Sequence, residues 1–290
     1  KKFHNNFEYL FKNIKQIIVM TVFNSFSRRA QTYDSQSFIQ TEVTKRLLKR
    51  LELIKHDKCD ILDIGSGTGK LSLDIKKKYS SVNITCMDIS YEMHQVHRQK
   101  EPKAKCIVGS AERLPFEQSS FDTILSSLTL HWCSVNSDLF KKISSLLMPH
   151  GLFLFSVVGP DTLKEFRKCP SEIYSKLRFN SYIDMHHYGD LMLAADFKDP
   201  VVDNEKITIE FSSFEQLLKS LRFSGTNLTS PSNKSYITKS EYLKIKECLY
   251  NESSKTFDIT YDIIFGYALK PNKTLNKSGK FIEIKELKKE

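Results

Sequence analysis

No apolar run in the 290-residue chain approaches the roughly 18 residues a membrane helix needs, so no span and no membrane partner is expected. The six cysteines (Cys59, Cys86, Cys106, Cys133, Cys169 and Cys248) are scattered and form no CxxC pair. Several sit inside apolar runs, which reads as buried reduced thiols rather than disulfides or metal ligands. The expectation is therefore no metal and a reducing compartment, taken as cytoplasmic. No basic stretch is interleaved with aromatics and no RNA-binding motif is present, which argues against a nucleic-acid partner. No internal repeat is visible. Tryptophan occurs once, at Trp132, and glycine only ten times, yet three glycines fall within five residues.

Charge is plentiful and unbalanced, with a net value of +10. The lysines of EVTKRLLKRLELIK and DIKKKYS lie beside apolar stripes at helical spacing, as on solvated faces. Compositional drift and attraction to an acidic partner both account for the excess, and charge does not choose between them. Residues 1–21 read as a basic, flexible arm in which 1–19 contain no arginine and no serine, unlike a targeting peptide.

Between residues 37 and 56 apolar positions recur at helical spacing and predict one amphipathic helix. The pattern then changes to short apolar runs, CDILDI (59–64), VNITCMDI (82–89), AKCIVGS (104–110), FDTILSSL (121–128) and GLFLFSVV (151–158), each reading as a buried strand. The stretches LSLDIKKKY, YEMHQVHRQK and SDLFKKISSLLM between them are helical in period. Alternating strands and helices predict an α/β fold, a mostly parallel sheet with helices on both faces. Residues 161–255 are expected to be mainly helical, forming a lid or substrate region. TFDITYDIIFGYAL (256–269) predicts a long final strand of the core sheet, running to about 270. The lysine-rich tail 271–290 is expected to be mobile.

The segment ILDIGSGTGK (61–70) carries the chemistry. A phosphate-cradling loop needs GxxxxGK then Ser or Thr; here Ile64 stands five before Gly69, and Leu71 follows Lys70. The dinucleotide fingerprint GxGxxG is one residue longer than this GxGxG. Asp63 before the turn would repel a pyrophosphate and attract an ammonium. S-adenosylmethionine (SAM), which carries an ammonium and a sulfonium, fits a turn whose glycines permit close backbone approach. Asp88, 25 positions after Asp63, stands near the spacing of an acid that holds ribose hydroxyls. GSAERLPF, after the third strand, offers groups for the adenine edge.

DIGSGTG, MDIS, SAERLPF with the following FD, and SSLTLHW together resemble a class I SAM-dependent methyltransferase across residues 22–160. That resemblance implies a Rossmann-like methyltransferase fold with an antiparallel C-terminal strand, and a SAM-binding core with an N-terminal cap over 22–160. By it, Asp63, Gly65 and Gly67 line the methionyl part, Asp88 the ribose, and Ser110, Ala111 and Glu112 the adenine. Ser66, Gly69, Ile89 and Ser127 complete the cofactor set. Many relatives have an acid where Ser110 stands, which leaves the adenine amino contact to backbone or to Glu112.

FNSFSRRAQTYD (23–34), SLTLHW (127–132), VGPDTLKEFR (158–167), FNSYIDMHHYGDLMLAADFKDPVVD (179–203) and ITYDIIFGYA (259–268) extend the resemblance to the malonyl-acyl-carrier-protein O-methyltransferases of biotin synthesis. The implied reaction is methylation of the free carboxylate of a malonyl thioester on an acyl carrier protein. That carrier is typically acidic, which would use the positive charge. A malonyl carboxylate, with a pKa of about 4, is ionised at neutral pH and needs no general base. It needs a partner that orients it, and Arg167 is the candidate cation. Tyr33, in the segment that would fold over the cofactor, is a candidate hydrogen-bond donor. His131 and Trp132 follow the fourth strand, as orienting and wall residues. SSLTLHW and GPDTLKEFR also resemble the mitochondrial complex I assembly protein that hydroxylates an arginine, the second reading. Another small-molecule carboxyl methyltransferase, and a SAM-binding module on RNA, are the remaining alternatives.

Overall fold

Strand β1 (Asp60–Ile64) is apolar on both faces, since Ile61, Leu62 and Ile64 are all fully buried. Only a strand in the middle of a covered sheet needs that pattern. The computed structural model describes residues 26–56, 58–177, 179–224, 237–275 and 281–283. The expected arm 1–21 lies outside the described residues.

Around β1 stand β2 (Asn83–Asp88), β3 (Lys105–Val108), β4 (Phe121–Ser127), β5 (Leu147–Val158), β6 (Lys198–Phe211), a two-residue β7 (Tyr250–Asn251) and β8 (Thr256–Leu269). Their order is β3-β2-β1-β4-β5-β8-β6, with β7 pairing the start of β8. The first five are mutually parallel, and β8 runs antiparallel to both β5 and β6. The five early strands and the final one therefore stand where the apolar runs predict them, β5 starting four residues before Gly151.

Period-two alternation sorts the core into two layers. Ile61, Leu152 and Leu154 face one side, where helix α2 (Phe38–Leu53) contributes Val43, Leu47 and Leu51 and α3 (Lys70–Lys78) contributes Leu71 and Ile75. Leu62, Ile64, Phe153 and Phe155 face the other. There α5 (Ser137–Leu146) brings Phe140 and Ile143, and α7 (Met185–Ala194) brings Tyr188 and Met192. A four-residue α1 (Tyr33–Gln36) precedes α2, and α4 (Tyr91–Lys100) covers β2 and β3. Side-chain caps start α4 and α5. Ser90 accepts from the Met93 N–H at 3.2 Å, and Asn136 from the Leu139 N–H at 3.0 Å, each satisfying an orphan donor of the first turn.

One expectation is corrected. The region 161–255 does hold helices α6 (Ser171–Tyr174), α7, α8 (Phe214–Ser224) and α9 (Lys239–Leu249). It also holds the 14-residue β6, which pairs with almost the whole of β8. As an edge strand it buries few side chains, so Asp203, Glu205, Lys206 and Glu210 mask its period in the sequence. The tail, expected to be mobile, contributes a two-stranded antiparallel ladder of β9 (Lys273–Leu275) and β10 (Phe281–Glu283). Among the described residues no helix is long and apolar enough to cross a membrane.

Candidate active site

The site lies beyond the carboxyl ends of β1, β2 and β4, where open parallel sheets hold their ligands. The chain leaves β1 through Gly65, Gly67 and Gly69, with φ values of +75°, +53° and +83°. L side chains rarely adopt these conformations, which explains glycine at alternate positions. A Cβ on Gly65 would stand 2.0 Å from Thr129 Oγ1, so the β4 loop presses directly on the turn. Gly67 faces open space, with nothing among the described residues within 4 Å of such a Cβ. At Gly69 the obstacle is the His97 ring, 2.2 Å away. Gly69 thus starts α3 rather than lining the site.

Backbone donors knit the turn to β2. The N–H groups of Gly65 and Ser66 donate to the Met87 carbonyl at 2.7 and 3.0 Å. Gly67 N–H donates to Asp88 Oδ2 at 2.8 Å, while Ser90 N–H donates to Oδ1 at 2.9 Å. Burial raises the Asp88 pKa, and these N–H donors oppose the rise. Asp63 is almost wholly buried, and its Oδ2 has no hydrogen-bond partner among the described residues. Desolvation, then the charge of Asp88, lifts its pKa to about 7. The buried Ser66 Oγ is likewise unpartnered. Both residues border a hollow lined also by Thr41, Thr44 and Lys70, which shares Tyr33, Gly65, Gly67 and Ser127 with the neighbouring cleft.

The cleft beyond the strand ends has about 890 Å³ of empty volume, counting space open to solvent. Gly65, Gly67, Asp88, Ile89, Ser110, Ala111, Glu112 and Ser127 line it, as do Tyr33 and Trp132. Glu112 is committed in part, because its Oε1 accepts from Ser134 N–H at 2.7 Å. Sequence reasoning missed Met87, Gly109, Leu128, Thr129 and Cys133, which also line the cleft. Leu128 adopts φ +49°, a strained conformation for a branched residue that leaves no mark in the sequence. Phe26, also missed, belongs to a segment singled out only as a block.

Aromatics close the cleft. Phe26 packs edge-on to Tyr33 at 6.0 Å and to Trp132 at 6.1 Å between ring centroids. This cap is pinned to the glycine turn through Asp34, which accepts from Thr68 Oγ1 at 2.5 Å and pairs with Lys100. Burial first, then Asp88 and Asp34, raises the Tyr33 pKa, so its hydroxyl keeps its proton. Behind Leu128 a smaller hollow is lined by Phe26, Tyr33, Gln40, His131, Trp132 and Tyr261, among others. His131 Nδ1 has no partner among the described residues, and desolvation lowers the ring's pKa to about 3. The imidazole is neutral at any physiological pH. Among the described residues no lysine or arginine lines either the cleft or this hollow.

Arg167 does not join the site. It sits in a short 3-10 turn, Lys164–Lys168, with its side chain half exposed. Nη1 donates to Asp161 Oδ1 at 3.2 Å and Nη2 to the Pro160 carbonyl at 3.0 Å. The sequence placed it correctly after the fifth strand, but its fork is spent on neighbours six and seven residues away.

The arrangement fits SAM on its own terms. An orphaned buried carboxylate oxygen suits an ammonium, a hydrogen-bonded acid ends β2, and a glycine without a steric neighbour faces the cleft between them. Comparison with known proteins agrees. The methyltransferase-domain family matches residues 62–155. The malonyl-(acyl-carrier protein) O-methyltransferase of Gallionella capsiferriformans is 31% identical over 267 residues, covering 88% of this chain and 92% of the relative. That of Legionella pneumophila is 30% identical, with 87% and 92% covered. Among solved structures, the YcgJ protein from Bacillus subtilis superposes with a TM-score of 0.55 at 18% identity, covering 77% of this chain and 97% of that one. Phosphoethanolamine N-methyltransferase 2 of Haemonchus contortus, in complex with SAM, gives 0.50 at 21%, covering 78% and 52%. These two likenesses speak to the fold.

Proposed function

Since the chain belongs to the malonyl-(acyl-carrier protein) O-methyltransferase family, we propose that it transfers the methyl group of SAM to the free carboxylate of a malonyl group carried on an acyl carrier protein. The observation that carries this reading is the near full-length match to those relatives, joined to the unpartnered Asp63 beside the glycine turn. The same relatives do not favour the arginine-hydroxylase alternative.

SAM supplies an electrophilic methyl on a sulfonium, and the rest is positioning. Asp63 and Ser66 hold the methionyl end, and the Gly65–Gly67 backbone lets it approach. Asp88 accepts from the ribose hydroxyls, and Ser110, Ala111 and Glu112 border the adenine. The malonyl carboxylate, ionised at neutral pH, enters the hollow behind Leu128 and needs no base. Tyr33 and neutral His131 orient it as hydrogen-bond donors. Neutral donors suit this task better than a cation, because they align the oxygen without strongly lowering its nucleophilicity. Phe26, Tyr33 and Trp132 exclude water. Alignment of this kind is worth up to roughly 7–11 kcal/mol of the barrier.

The test is intact-mass measurement of malonyl-acyl carrier protein incubated with the purified chain and SAM. A gain of one methyl group is expected, and the unloaded carrier should stay unchanged. An unmodified malonyl carrier beside protein that demonstrably binds SAM would overturn the proposal.

A further inference from the structure

Behind the glycine turn, away from the cleft, two histidines and a cysteine converge. His94 and His97 lie three residues apart on α4 and are essentially inaccessible, and Cys106 projects from the neighbouring β3. One ligating atom from each lies within 4.8 Å of those from the other two.

Hydrogen bonding decides which atoms are available. His94 Nε2 lies 3.0 Å from the Ile107 carbonyl, which can only accept, so the proton is on Nε2. Its Nδ1 then carries a lone pair, and that atom is buried with no partner among the described residues. The Ser72 hydroxyl donates to the Gly69 carbonyl at 3.0 Å, which leaves its oxygen to accept from His97 Nε2 at 3.4 Å. His97 Nδ1 therefore also presents a lone pair, and it lies 3.7 Å from Cys106 Sγ. Both rings are thus held in one tautomer by oxygen acceptors, the outer arrangement that metal-ligating histidines use.

We propose that His94, His97 and Cys106 form a binding site for a zinc-class divalent cation. Zn–N and Zn–S bonds of about 2.1 and 2.3 Å at a tetrahedral angle separate nitrogen and sulfur by about 3.6 Å. The observed 3.7 Å between His97 Nδ1 and Cys106 Sγ matches that separation, and the other ligand-atom pairs, within 4.8 Å, would close by up to about 1 Å on binding. Two neutral imidazoles and a thiolate suit this borderline-soft ion better than oxygen-seeking magnesium or calcium. The Cys106 proton leaves to solvent on binding, and the partial exposure of Cys106 gives the ion and the proton a path. Three protein ligands leave a fourth position for water. Because the His97 ring fills the space beside Gly69, a bound ion ties α4 to β3 beneath the cofactor turn.

Co²⁺, which takes the same ligands as zinc and is coloured, is the probe. Titrated into the reduced full-length chain, it should bind one equivalent with thiolate charge-transfer absorption in the near ultraviolet. Cys106→Ser and His94→Asn should each abolish that band, while Cys59→Ser, at an exposed cysteine, should retain it. Ser72→Ala should weaken binding by roughly 10- to 100-fold. No band in the wild-type chain, or a band that survives Cys106→Ser or His94→Asn, overturns the proposal. Anomalous diffraction from cobalt-loaded wild-type crystals decides the matter even if the variants fold poorly, since density away from the three side chains would refute it.

Discussion

The Gly67 N–H donates to Asp88 Oδ2 at 2.8 Å, which makes the turn after β1 and the acid ending β2 a single rigid unit. Asp88 is already oriented before any ribose arrives. On the proposed function, its removal would strip both a ligand contact and the acceptor of a part-buried backbone donor.

Asp88→Ala should weaken SAM binding by about 10- to 100-fold, since a hydrogen bond to a charged group contributes roughly 1.5–3 kcal/mol. Titration calorimetry would report it. Wild-type affinity in a folded Asp88→Ala protein would remove this residue from the site.

Asp63 should make SAM binding pH-dependent. Its pKa of about 7 means that the carboxylate forms only as pH rises through neutrality, so affinity should climb between pH 6 and 8. The sign for stability is opposite. A carboxyl whose folded pKa is raised binds more protons folded than unfolded, so the cofactor-free protein loses stability as pH rises from about 4 towards 7. Asp63→Asn should thus raise the unfolding free energy at pH 8, by an amount on the order of a few kcal/mol at most, and flatten the affinity profile. A pH-independent affinity in the unmodified chain would contradict this account.

The two glycines that face different surroundings should respond differently to alanine. Gly65→Ala meets Thr129 within 2.0 Å at a positive φ, and should destabilise the fold by about 2–4 kcal/mol in denaturant unfolding. Gly67→Ala has open space and should cost only the strain of its φ, about 1–2 kcal/mol. Its methyl enters the cleft, so SAM affinity is where its loss should show. Equal destabilisation by the two changes would count against the geometry.

Tyr33→Phe and His131→Asn should each lower kcat for methyl transfer while leaving SAM affinity within about threefold. Because the His131 pKa is near 3, the rate profile from pH 5 to 8 should carry no limb assignable to it. A limb near pH 6.5 that vanishes in His131→Asn would show that the ring titrates after all. Arg167→Ala, at a surface ion pair worth about 0–1 kcal/mol, should keep turnover close to that of the unmodified chain.

Local chemistry made much of this protein legible. The strands β1, β2, β4, β5 and β8 are apolar because they lie inside the sheet, and burial writes itself into composition; β3, at the sheet's other edge, is apolar yet largely exposed. The alternate glycines and the acids at 63 and 88 were readable because a turn with positive φ values and a carboxylate at a strand's end leave few choices of residue. The edge strand β6 was hidden, since a strand with one neighbour and a wet face can carry charges freely. Arg167 was misjudged for a related reason: whether a guanidinium serves a substrate or an adjacent aspartate depends on where the chain points it. The strained Leu128, the aromatic cap around Phe26 and the neutrality of His131 likewise exist only in three dimensions. Sequence patterns record what each residue must avoid or bury. Tertiary packing alone decides which side chains meet, and so which of them share the cleft.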